Sequence, residues 1–249
     1  MLCAIISDIH ANLEALDAVI AAIDSLPVDA LYCLGDLVGY NADPDACVDM
    51  VLSRAKAVIR GNHDKAVAGF LNLDWFNRSA RDAVLWTRKS ILPTTLEKVR
   101  KLPEGPLELE EGLLLCHGTP YDEDAYLMDA GSAAKSFAHM AAQYPRARFC
   151  LYGHTHYPQV AVRITGRNKA EFLPTSEQFD LEPDFAYLIN PGSIGQPRDG
   201  IARASFGILD TKRRVYRSVR VAYDVRQTQG KILGAGLPAD CARRLAEGR

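Results

Sequence analysis

Five short apolar runs in this chain each break into a polar step carrying aspartate, asparagine or histidine, and this repeated junction limits the fold more than any other feature. LCAIIS leads into Asp8-Ile9-His10. Residues 31–34 lead into Gly35-Asp36, and residues 57–60 into Gly61-Asn62-His63-Asp64. Residues 113–116 lead into His117-Gly118, and residues 149–152 into Gly153-His154-Thr155-His156. Runs this short and this rich in Ile, Val, Leu and Cys read as buried strands. Longer segments of helical period lie between them. Leu13, Leu16, Val19, Ile20 and Ile23 recur at helix spacing behind a capping candidate, Asn12, and a second helix is expected from about Pro44, with Asp43 before it as a cap. Alternation of this kind predicts an α/β domain, and in such sheets a ligand site forms outside the carboxyl ends of the strands. The five polar steps can therefore converge although they are far apart in sequence, and five of the six histidines lie in them, only His139 standing apart.

From about residue 158 the pattern changes to strand after strand (VAVRI, AEFL, YLIN, ASFGILD, RVYRSVRVAY), followed by a helical tail from about Pro238. A mixed sheet or two packed sheets is expected. Residues 65–110 and 119–145 are long insertions, and the first contains two helix-like stretches, FNRSARDAVLWTRKSIL and TTLEKVRKL. The expectation is one domain over residues 1–249, with 65–110 as a helical cap. Two readings stay open for Trp75, Trp86, Tyr121 and Tyr126 with Arg78, Arg81 and Arg88: a pocket for a nucleotide or other extended phosphate ester, or the cap's own packing with a solvated basic face.

Net charge is -2 and the isoelectric point is near 6.3, so no overall field draws the chain to nucleic acid or to an acidic membrane surface. The basic run with interleaved aromatics expected of a nucleic-acid track is absent. The opening residues lack the basic region and cleavage site of a secretory leader, and no apolar run reaches spanning length, so a cytoplasmic protein without a membrane partner is expected. Cys3, Cys33, Cys47, Cys116, Cys150 and Cys241 are scattered and read as reduced core residues. Cys116 adjoins His117, but successive strand side chains face opposite ways, which places its thiol in the core.

Taken singly, an Asp-x-His is most often a cap and a Gly-Asn a tight turn. Repetition of one context, strand then glycine then ligand-type side chain, points to a functional site. Imidazole, carboxylate and amide oxygen without thiolate suit two ions of Mn, Fe, Co, Ni or Zn. Two such ions roughly 3.5 to 4 Å apart clamp an ester's oxygens and bring a bridging water into the neutral titration range. Two aspartates against two divalent ions leave about two positive charges, which favours a phosphate oxyanion.

The ordered set SDIH, GDLVGY, GNHD, CHG and GHTH resembles the calcineurin-like metallophosphoesterase superfamily across residues 1–210, and GDLVGYNADP with NPGSIGQPRDG resembles its small bacterial and archaeal phosphoesterases. The resemblance implies a four-layer α/β/β/α sandwich of two mixed sheets with a dinuclear centre, manganese being the first expectation. By it, Asp8, His10 and His156 hold one ion, Asn62, His117 and His154 the other, and Asp36 bridges them. His63 sits beside the centre, to protonate the leaving alkoxide or stabilise its charge. Protein Ser/Thr phosphatases carry GDxVDRG, and here Gly39 replaces the aspartate that orients that histidine while Tyr40 replaces an arginine. Arg198 is the candidate replacement phosphate contact, and Asn12 a candidate anion contact or simply a cap. The implied activity is metal-dependent hydrolysis of small phosphodiesters, monoesters or nucleotides with a bridging hydroxide. A non-catalytic protein-binding scaffold and, below it, a nuclease are the alternatives.

Overall fold

The structure is a computed structural model that describes residues 1–163 and 169–249. The first expected unit forms as read. Strand β1 (Leu2–Ile6) runs into helix α1 (Leu13–Asp24), whose start is capped by Asn12: its Oδ1 accepts from Ala15 N at 3.1 Å. β2 (Ala30–Cys33), α2 (Pro44–Arg54) and β3 (Ala57–Val58) repeat it. Asp43 occupies the cap position of α2 without a side-chain capping bond. It accepts from Lys231 Nζ instead, at 2.8 Å.

Residues 62–100 hold α3 (Asn62–Ala68), α4 (Arg78–Ser90) and α5 (Pro93–Arg100). Then follow β4 (Leu107–Glu108), β5 (Leu113–Leu115), α6 (Ala130–Gln143) and β6 (Phe149–Leu151). The strand-rich half supplies β7 (Pro158–Arg163), β8 (Ala170–Phe172), β9 (Gln178–Asp180), β10 (Ala186–Pro191), β11 (Ala204–Asp210) and β12 (Val215–Val221). Ile164, the last residue of the expected VAVRI strand, lies outside the described residues. The helical tail begins earlier than expected, with α7 (Val225–Gly234) ahead of α8 (Ala239–Glu247). The α7 sequence VRQTQGKILG is polar and contains a glycine, so it carries little periodic signal. Asp224 starts it by accepting from Gln227 N.

Two mixed six-stranded sheets result, ordered β3-β2-β1-β11-β12-β9 and β4-β5-β6-β10-β7-β8. The strands that carry the polar steps run parallel, β1 with β2 and β2 with β3 in one sheet, β5 with β6 in the other. Alternation along each strand makes the layers. Cys3 and Ile5 meet Leu113, Leu115, Phe149 and Leu151 between the sheets, whereas Ala4 and Ile6 turn out to Leu16, Val19 and Ile20 of α1. Behind the second sheet, Leu114, Cys116 and Cys150 pack on Phe137 and Met140 of α6. The order is therefore helix, sheet, sheet, helix, and both sheets present the carboxyl ends of their parallel strands to one edge. All six cysteines are buried and none forms a disulfide, with Cys116 in the core. Among the described residues, no helix is long and apolar enough to cross a membrane.

Candidate metal centre

The five polar steps meet at that edge. Asp8, His10, Asp36 and His156 bring ligand atoms within 4.8 Å of one another, as do Asp36, His117 and His154, all of them buried. Asp36 belongs to both groups: its Oδ2 lies 3.5 Å from His10 Nε2 and 3.4 Å from His117 Nε2. On the first side His10 Nε2 and His156 Nε2 are 3.1 Å apart, with Asp8 Oδ1 3.5 Å from His156 Nε2. On the second side Asn62 Oδ1 lies 3.1 Å from His117 Nε2. Asp8, His10, Asp36 and Asn62 come from loops of the first sheet, His117, His154 and His156 from the second.

The tautomers test whether cations fit. His10 Nδ1 faces Val38 O at 3.1 Å, His117 Nδ1 faces Leu34 O at 2.8 Å, and His156 Nδ1 faces Gln196 O at 2.6 Å. A carbonyl only accepts, so each Nδ1 carries the proton; His10 and His156 turn an Nε2 lone pair inward, and the Nε2 of His117, which faces the oxygens of Asp36 and Asn62, is left to exchange its proton for a cation. His154 is reversed: its Nε2 donates to Asp124 O at 3.1 Å, which frees Nδ1. Lone pairs of His10 and His156 facing each other across 3.1 Å repel, and a shared cation about 2.0–2.2 Å from each removes the conflict. The residues present fit two divalent ions that share Asp36.

The electrostatics agree. Burial drives His10 and His156 well below the usual imidazole range, and burial with the nearby positive charge of Arg198 brings His63 down to about 4. Burial and His117 lower His154 to about 3. Burial alone would raise Asp36, but the imidazoles of His117 and His63 outweigh it and hold the carboxyl well below its ordinary value. His117, which burial alone would lower, is raised to about 10 by the Asp36 carboxylate. Asp8 rises to about 7 through burial.

The loops carrying these groups are strained. Asp8, His10, Asp36, His154 and His156 all have positive φ, between 49 and 65°. Side chains inside the quoted motifs, but not among the candidate site residues, hold them. Asp64 accepts from the backbone N–H groups of Leu37, Val38 and Gly61. Asn41 donates to His10 O at 2.7 Å, Asn190 to Gly153 O at 2.9 Å, and Ser193 to Asp8 O at 2.8 Å.

His63 lies against the centre with its ring 4.8 Å from that of His10, 4.5 Å from Tyr40 and 5.0 Å from Phe76. Its Nδ1 is buried without a hydrogen-bond partner among the described residues. Gly39, at φ +95°, is the reason: a Cβ there would stand 2.5 Å from that nitrogen. Arg198 has no carboxylate partner among the described residues. Its Nη2 donates to Gln196 Oε1 at 3.0 Å and toward Tyr40 Oη at 3.4 Å, while Arg198 Nε and Gln196 Nε2 are buried donors without acceptors. Asn12 takes the cap role: its Oδ1 caps α1, and its Nδ2 donates to Gly195 O at 3.1 Å, which fastens the 190–200 loop.

Of the seven aromatic and basic residues singled out in the insertions, Trp75 and Tyr126 line the cleft beside the centre, where Leu71, Phe76, Asn77 and Ala80 also stand. Trp86 donates to Ala235 O at 2.9 Å and packs on the C-terminal helices, and Tyr121 pairs with Lys135. Arg78 faces α8, whereas Arg81 and Arg88 line a separate depression near residues 69–74.

Residues 1–214 match the family model described as the calcineurin-like phosphoesterase superfamily domain. An uncharacterized protein of Methanocaldococcus jannaschii is 36% identical over 253 residues, covering 99% of this chain and 98% of its own. The crystal structure of a metallophosphoesterase from Sphaerobacter thermophilus superposes with a TM-score of 0.82 at 35% identity, covering 100% of this chain and 99% of the other. A hypothetical protein from Pyrococcus horikoshii OT3, at 18% identity and TM-score 0.79 over 100% of this chain and 98% of its own, shares the fold.

In chelator-stripped protein the centre makes stability depend on pH in both directions. His10, His63, His154 and His156 sit below 6.5 in the folded state, so the unfolded chain takes up their protons first and stability falls as pH drops below 6.5. Asp8 and Asp64, each raised to about 7, work against this but are two groups against four. The contribution of His117 is complete below 6.5 and is lost as pH rises through about 10. Melting curves from about pH 5 to about pH 9 should therefore fall on both sides of neutrality. Loading with divalent metal should raise the melting temperature and abolish the alkaline arm, because a ligating imidazole is already deprotonated. A melting temperature that ignores metal would remove the centre.

Proposed function

The chain belongs to the calcineurin-like phosphoesterase superfamily, and from that premise we propose that it is a hydrolase that cleaves small phosphate esters with two divalent transition-metal ions, manganese first among them. The observation that carries this reading is the double membership of Asp36 in two buried ligand groups, each drawn from both sheets. Asp8, His10 and His156 with Asp36 would hold one ion, and Asn62, His117 and His154 with Asp36 the other. Bound there, the pair would supply Lewis-acid charge to the phosphoryl oxygens and activate water at neutral pH.

The chain's own groups divide the remaining work. Arg198 and Gln196 offer unpaired buried donors to the nonbridging phosphate oxygens, and guanidinium geometry suits that contact. Tyr40 holds Arg198 in place from one side and packs on His10 and His63 from the other. Water adds to phosphorus, the P–O bond to the alcohol breaks, and the departing oxygen needs a proton or a hydrogen bond. His63, which lines the cleft with its Nδ1 turned to Gly39, presents Nε2–H to that oxygen. Burial keeps the ring neutral in the empty protein, and an arriving phosphate dianion raises its basicity.

Three substitutions test this division. Asp36→Asn should cost both ions together, since a neutral amide is a poor bridge; two ions per chain by elemental analysis, with full activity, would refute the shared ligand. His63→Ala should keep both ions yet slow turnover about a hundred- to ten-thousand-fold, with the deficit shrinking for good leaving groups such as p-nitrophenol. An equal deficit for poor and good leaving groups would rule out proton donation. Arg198→Ala should weaken inhibition by inorganic phosphate about tenfold or more, and undiminished inhibition would take Arg198 out of phosphate binding.

A further inference from the structure

The cleft beside the centre has a volume of about 550 Å³, a size that holds a small organic group rather than a few waters. Asn62, His63 and His154 form its boundary with the candidate ligands, so whatever occupies it is joined to a phosphorus held at the centre. Trp75 stands at the end of a short 3₁₀ turn with 92% of its surface exposed, outside every hydrophobic cluster of the fold. Tyr126 is 53% exposed and stacks on His154, ring centres 4.1 Å apart and 23° from parallel. An exposed indole and an exposed phenol on one cleft offer faces to a flat ring, and such stacking does not depend on which base is bound.

The charges around the cleft narrow the ligand. No lysine or arginine lines it, whereas Asp122 and Asp124 do. On the wall formed by residues 122–126 the cation is Lys65, and Glu123 and Asp124 already take its ammonium at 2.8 and 2.6 Å, whereas Arg198 reaches the lining Tyr40 from the side of the centre. One cation against three carboxylates leaves that wall negative. A second phosphate would be repelled there, while ribose hydroxyls or exocyclic amino groups can donate to the carboxylates.

We propose that this cleft binds the uncharged nucleoside part of a substrate that carries a single phosphate group, as a mononucleotide or a nucleoside phosphodiester. The inference rests on the phosphoesterase reading for its chemistry but on the cleft alone for its binding, and this makes the two separable. Of the two readings open for these residues it keeps only part of the pocket: Trp75 and Tyr126 supply aromatic faces, and the arginines stand elsewhere.

The test uses the metal-loaded full chain. In a Trp86→Phe background Trp75 is the only tryptophan, and titration with adenosine should quench its fluorescence saturably in the millimolar range. Ligand-observed NMR of adenosine on the unaltered protein gives the same reading if that variant misfolds. Trp75→Ala, which removes no core contact, should weaken adenosine binding about tenfold. Adenosine monophosphate should bind at least about tenfold more tightly than adenosine diphosphate, and Asp122→Asn should narrow the gap. No saturable signal from adenosine, equal affinity in Trp75→Ala, tighter binding of the diphosphate, or a response to choline but not adenosine would each overturn the subsite. Hydrolysis of p-nitrophenyl phosphate and its bis ester is measured alongside. Hydrolysis without adenosine binding sinks the subsite alone, and adenosine binding without any hydrolysis sinks the phosphoesterase reading while leaving the subsite standing.

Discussion

The Asp36 carboxylate, buried between imidazoles of the two sheets, is the constraint on which the rest of the structure depends. It accepts from His63 N at 2.8 Å and lies within 3.5 Å of His10 on one side and His117 on the other. Bare carboxylates and inward lone pairs are expensive out of water, and only cations offset them without new donors. The surrounding groups hold that unfavourable set in place. Each imidazole is fixed by a carbonyl or, at His154, by the Asp124 carbonyl that Lys65 anchors through the same residue's carboxylate. Backbone strain of about 1–3 kcal/mol per positive-φ residue is tolerated only where neighbours over-determine it, and Asp64, Asn41, Asn190 and Ser193 do so here.

The legible part of the fold was the part with period. Apolar runs at 2–7, 31–34, 57–60, 113–116 and 149–152 became strands to within a few residues at their ends, and their polar steps came together because parallel strands deliver their carboxyl ends to one edge. Short or polar elements escaped. β4 and β9 are two and three residues long, and α7 is too polar and glycine-bearing to mark itself. The same division holds in the site. Histidines and aspartates at strand ends announce themselves as ligands, whereas the loop-holding work of Asp64, Asn41, Asn190 and Ser193 does not show in their residue type. Their role exists only in the folded register, as when Ser193 reaches back to Asp8 O across 185 positions. The arginines of the insertion left two readings open for a related reason. Sequence spacing shows that they share a helix but not which way that helix is turned, and α4 turns Arg78 to α8 and Arg81 to another depression.

The replacement of an orienting aspartate by Gly39 alters how His63 can be held. With an aspartate, a ring nitrogen would be fixed by a charged hydrogen bond, which also raises imidazole basicity. Here Nδ1 has no acceptor, and the ring is placed by packing between Tyr40, Phe76 and His10. Packing holds the plane of the ring but adds no charge, so burial dominates and the imidazole is neutral in the empty protein. Phe76 belongs to the 65–110 segment and also lines the cleft. The orientation of the proposed proton donor is thereby tied to the wall that would contact the leaving group. An occupant that presses Phe76 against His63 steadies the donor, and an ester too small to reach that wall leaves it held on fewer sides. Selectivity for the leaving group and proton delivery to it would then share the contact between Phe76 and His63.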